Sequence, residues 1–176
     1  MHMSDASEQR LEQAVSYLRE KSNDGLMARL YQKILFLLEL KYYQKHSQYF
    51  IGIHFTSYKY GPFSKGVAEA LESTEKIPCP KNVQEEIDAI LHEYSLEQFD
   101  KETMHEAYQK MIDYIHSLVF YNITPFRASL DFNQYTEEDL LNTIQSKLDG
   151  QELESEKASF AMIRQEAKQC EHLFQT

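Results

Sequence analysis

The order of apolar and polar positions along the chain predicts a mostly α protein. Over 7–21, "SEQRLEQAVSYLREK", Leu11, Ala14, Val15 and Leu18 fall at helical spacing, with Ser7 placed to cap the first turn. The tetrad "SNDG" breaks that pattern. A second helix then runs to about Lys45, and Met27, Leu30, Tyr31, Ile34, Leu35, Leu37, Leu38 and Leu40 make it apolar around much of its circumference. From Gln48 to Tyr60 the period drops to two, and aromatic and β-branched residues dominate, which predicts one short strand or a hairpin. Gly61-Pro62 ends it, because proline donates no ladder hydrogen bond and glycine accepts a positive φ. Ser64 or Pro62 can open the next helix, "SKGVAEALEST", with Val67, Ala70 and Leu71 facing inward.

Beyond the linker "IPCPKN", Val83, Ile87, Ile90, Leu91 and Tyr94 mark a further amphipathic helix. Another follows with Met104, Tyr108, Met111, Ile115, Leu118 and Val119 as its apolar face. The stretch "NITPFRASLDFNQ" is irregular. Thr136-x-x-Asp139 is a weakened capping box before "LLNTIQSKLDG", whose Gly150 suits a C-cap, and 152–174 reads as a long final helix. The expected architecture is a compact helical domain of six or seven helices with one β element after the second. A winged-helix-like first half is one version of it.

Composition narrows the class. An apolar fraction of 42% over 176 residues suffices for a core. No run approaches the ~18 apolar residues of a membrane span, and the start "MHMSDASEQRLEQ" lacks the basic and apolar parts of a secretory signal, so the expected location is the cytoplasm, away from membranes. Cys79 and Cys170 lie outside any metal or disulfide spacing, and Cys170 and His172 point to different helix faces, so no metal and no cofactor is expected.

Charge is distributed unevenly. The net value of −10 argues against nucleic acid as a general partner, yet Arg29–Lys65 holds six basic residues against the single acid Glu39, which leaves −15 for the rest. Catalysis is not expected: the seven histidines, His2, His46, His54, His92, His105, His116 and His172, are scattered, and no metalloprotease, serine-hydrolase or phosphate-loop pattern occurs. The basic segment also holds ten of the 22 Phe and Tyr residues. Part of these build the core; rings beside cations are interface chemistry. The partner-binding candidates are therefore Lys41, Tyr42, Lys45, Tyr58, Lys59, Tyr60, Phe63 and Lys65, with Gly61 and Pro62 as the structural turn.

Residues 29–72, "RLYQKILFLLELKYYQKHSQYFIGIHFTSYKYGPFSKGVAEALE", resemble the Panacea domain of the SocA-like antitoxin family. The matching positions are Leu30, Gln32, Lys33, Ile34, Leu35 and Phe36 for its "LxKLLYF" helix, then Lys59, Tyr60, Gly61, Pro62 and Phe63 for its "YGP" corner. Where many members carry Thr-His followed by Pro-Trp, this chain reads Ile123-Thr124-Pro125-Phe126 and has no Trp. The resemblance implies a Panacea-like helical domain over 1–135 with a helical extension over 136–176, packed on the same core or on another copy in a homodimer. It implies a module that neutralises a toxin encoded beside it by direct contact, as an inhibitor or as an adaptor to a protease. A DNA-binding regulator of winged-helix-like type is the alternative, weakened by Glu69, Glu72 and Glu75 in the helix that would meet phosphates.

Overall fold

A computed structural model describes residues 3–144, and among these residues six α-helices are arranged around a seventh, central one. The first, α1 (Asp5–Lys21), buries Leu11, Ala14, Val15 and Leu18 as its spacing predicts. Its cap is Ser4 rather than Ser7: the Ser4 hydroxyl accepts the Ser7 N–H at 3.2 Å, so the helix begins most of a turn earlier. The central α2 (Ala28–His46) buries every residue from Leu30 to Leu40. It packs against α3 (Lys65–Ala70), α4 (Lys81–Glu93), α5 (Lys101–Ser117) and α7 (Glu137–Leu141), while α1 lies on α3 and α4. Asp100 caps α5 through two backbone N–H groups.

The long helix expected around 104–119 is two helices. Leu118 takes ψ 131°, which ends α5 and starts α6 (Val119–Ile123) at the same residue. Thr136 and Asp139 form a complete capping box on α7: each side chain accepts the other's backbone N–H. A single 3-10 turn at Phe132–Gln134 precedes it. Met1–Asn142 forms one compact unit and Thr143–Thr176 a second. The Gly150 cap and the expected final helix over 152–176 lie outside the described residues.

The expected strand, hairpin and winged-helix half are not there: the described residues contain no sheet, and the Thr56 backbone makes isolated bridges to Phe63 and to Ser129. Side chains over 51–57 do alternate, with Ile51, Ile53, Phe55 and Ser57 buried and His54 exposed. Their backbone is engaged elsewhere. The Glu39 carboxylate, fully buried in α2, accepts the N–H groups of Phe50 (2.8 Å), Ile51 (2.9 Å), Gly52 (2.7 Å) and Ile53 (3.0 Å). A run of donors that would serve a neighbouring strand is gathered onto one side chain, and Gly52 at φ 92° permits the curvature.

Rings join the helices into one core. Phe36 meets Phe55 at 5.2 Å, Phe132 at 5.9 Å and Phe120 at 6.2 Å between centroids, and Tyr49 stacks on Phe132 at 5.2 Å. Each such pair contributes about 0.5–1.5 kcal/mol beyond area burial.

Candidate functional site

Three polar residues of α2 face inward, and all three fix the path of the chain that follows. Glu39 holds 50–53, as described. Gln32 makes a reciprocal pair with Ser64, its amide donating to the Ser64 carbonyl at 3.0 Å and its oxygen accepting the Ser64 N–H at 2.8 Å. Lys33, 5% exposed, donates from Nζ to the Pro62 carbonyl at 2.7 Å. Burial pushes its amine down to about 7. The "LxKLLYF" helix and the "YGP" corner are thus two halves of one clasp.

Gly61 is required by that clasp twice over. Its φ is 98°, and a Cβ there would meet Lys33 Cε at 2.9 Å and Ile112 Cδ1 at 3.0 Å. Ser64 caps α3 by accepting the Val67 N–H. With its polar signature residues turned inward, the corner turns its rings outward: Tyr58 is 38%, Tyr60 47% and Phe63 38% exposed.

A second loop completes this surface. Ser57 donates to the Ala128 carbonyl at 2.9 Å and accepts the Arg127 N–H at 2.7 Å, while the Tyr121 hydroxyl donates to the Tyr58 carbonyl at 2.6 Å. Phe126, 61% exposed, therefore comes beside Tyr58, whose ring lies 5.5 Å from both Phe126 and Phe63. Arg127, at φ 65°, lies 5.2 Å from the Phe126 centroid, and Lys59 Nζ lies 5.9 Å from that of Tyr60. Neither cation has a carboxylate partner among the described residues.

The eight candidate binding residues separate into two groups. Tyr58, Lys59, Tyr60 and Phe63 share this patch, and Lys65 follows it, paired with Glu69 at 3.2 Å on an exposed face. Lys41, Tyr42 and Lys45 lie further along α2; Lys41 is eight residues past Lys33, about 12 Å of helix. Lys41 is engaged by Glu93 and lies 5.9 Å from the rings of Tyr94 and Tyr114. Tyr42 packs on His46 at 4.3 Å and on Phe50 at 4.4 Å, and Lys45 is exposed. Phe126 and Arg127 are the functional candidates that sequence reasoning missed. Their available signal was a ring next to a cation after Pro125, the same chemistry as Lys59-Tyr60.

Among the described residues no group of three or more His, Cys, Asp or Glu is placed to hold a metal, and no helix is long and apolar enough to cross a membrane. No curated protein and no solved structure is matched by this chain. The family model for the antitoxin SocA-like Panacea domain matches residues 31–159. That span includes the clasp, both loops of the patch and the greater part of the chain, and on it the protein belongs to the SocA-like Panacea antitoxin family.

Proposed function

We propose that this protein is a non-catalytic binding module of the cytoplasm that neutralises a toxin encoded beside it by direct, stoichiometric contact. The observation that carries this reading is the division of labour within the family signature. Gln32, Lys33 and Ser64, the polar groups that chemistry would need at a surface, are buried and occupied in holding the backbone. The rings they hold are the exposed part. Cys79 supports the same reading from another direction, since burial pushes its thiol up to about 11, away from a reactive thiolate.

The test is co-expression with the neighbouring gene. Growth arrest by the neighbour alone, relieved by this chain and accompanied by a co-eluting complex, is the expected result. A neighbour that is harmless, or that is neutralised without ever co-eluting, overturns it. Toxin abundance separates the two modes of contact: an inhibitor leaves it unchanged, whereas an adaptor to a protease lowers it.

A further inference from the structure

Six large apolar side chains are exposed among the described residues; three of them, Tyr58, Phe63 and Phe126, form one cluster of rings where the signature corner meets the 125–130 loop, and a fourth, Tyr60, stands on the same corner. A fifth, Ile123, is three residues from Phe126. Scattered apolar residues on a surface need no explanation; a contiguous cluster marks a contact site.

Its charge identifies the contact. The chain carries no Asp or Glu from Leu40 to Ala68, and none from Tyr114 to Leu130. These two segments hold five basic residues and no acid in a protein of net charge −10, so everything else sums to −15, and of the five Lys59 and Arg127 lie at the patch. Lys59 and Arg127 flank the rings with no carboxylate partner among the described residues. A face of this kind attracts carboxylates and repels cations, so it selects both the partner segment and its orientation.

Resting on the reading of the protein as a binding module, we infer that the patch of Tyr58, Tyr60, Phe63 and Phe126, with Lys59 and Arg127 at its margin, receives an acidic segment of the partner. Carboxylates of that segment pair with the two cations, and an apolar side chain between them enters the rings. Aromatic and basic residues together also suit single-stranded nucleic acid, but that needs a cationic track along several phosphates. Here the cations beside the rings are two, Lys59 and Arg127, and the next along the chain, Lys65, has Glu69 beside it.

The experiment uses the full chain and three fluorescent probes: a peptide repeating Glu-Leu-Asp-Phe, its twin with Lys at every acid, and single-stranded oligo-dT. The expected result is binding of the acidic peptide at least tenfold tighter than of the other two. Phe126→Ala, and Lys59→Glu combined with Arg127→Glu, should each weaken it at least tenfold with unchanged far-UV circular dichroism, while Lys81→Glu on α4 leaves it unaltered. Equal binding of the peptide twins, tighter binding of oligo-dT, or variants that bind like wild type would overturn the inference. The same variants are then co-expressed with the neighbouring toxin. If they co-elute with it as wild type does, this surface is refuted while the functional reading stands; if wild type itself fails to neutralise the toxin, it is the functional reading that falls.

Discussion

At position 33 an amine lies among apolar side chains with one carbonyl, that of Pro62, as its hydrogen-bond acceptor. Burial has lowered it from an ordinary 10.5 to about 7, and the sign of the consequence follows from proton counting. Below about 7 both folded and unfolded chains hold the proton, and folding bears the full cost of burying a cation. Between about 7 and 10.5 only the unfolded chain holds it, so stability rises with pH across that window. Other groups titrate as well, so the useful quantity is the difference between wild type and Lys33→Met in urea unfolding. That difference should move in favour of wild type by up to about 1.4 kcal/mol per pH unit. A flat difference would show that the amine does not titrate inside the folded protein.

At the level of elements, α2 is a helix whose polar residues organise what is not helical. Glu39 sets the pattern. Burial raises its carboxyl above the usual range, and the N–H groups of residues 50–53 offset part of that rise. Those four amides, although in no helix or sheet, should exchange with solvent as slowly as the amides of α2. In Glu39→Gln the carbonyl oxygen can keep the place of Oε1 and the N–H groups of Ile51, Gly52 and Ile53, but an NH2 replaces Oε2 and faces the Phe50 N–H, so protection at Phe50 should be lost and stability fall by about 1–3 kcal/mol. Rapid exchange there in the wild type would refute this account. The same residue explains what was legible in the sequence. The helices were, because a 3.6-residue period reports which side is buried. The alternation over 51–57 was equally real, but a period of two reports the direction of side chains and says nothing about what accepts their N–H groups. Glu39 stood in the sequence as the lone acid of a basic segment, with no sign that it faced inward. The site was half legible for a similar reason: Tyr58–Phe63 could be chosen locally, whereas Phe126 and Arg127 join them across more than sixty residues of chain, through Ser57 and Tyr121. Lys41 is equivalent to Lys59 in sequence, a cation beside a tyrosine, and differs from it in space, where Glu93 of α4 engages it.

On the scale of the described molecule, buried residues from Leu11 to Leu140 form one cluster, and the rings of Phe36, Phe55, Phe120 and Phe132 tie its central helix to the 50–57 segment, to α6 and to the 3-10 turn. Amide exchange in α1, α4 and α5 under increasing urea should therefore converge on one opening free energy. Separate values would show that the core is divided. The clasp between α2 and the corner carries a further consequence for association. Because Lys33, Gln32 and the Tyr121 hydroxyl already fix the backbone beneath Tyr58, Pro62 and Ser64, a partner meets rings on a settled loop. Little ordering entropy of the main chain is left to lose on contact, only the freezing of exposed side chains at about 0.5–1.5 kcal/mol each. Binding at this corner is therefore the docking of a preformed surface, and it draws on rigidity that was set when the chain folded.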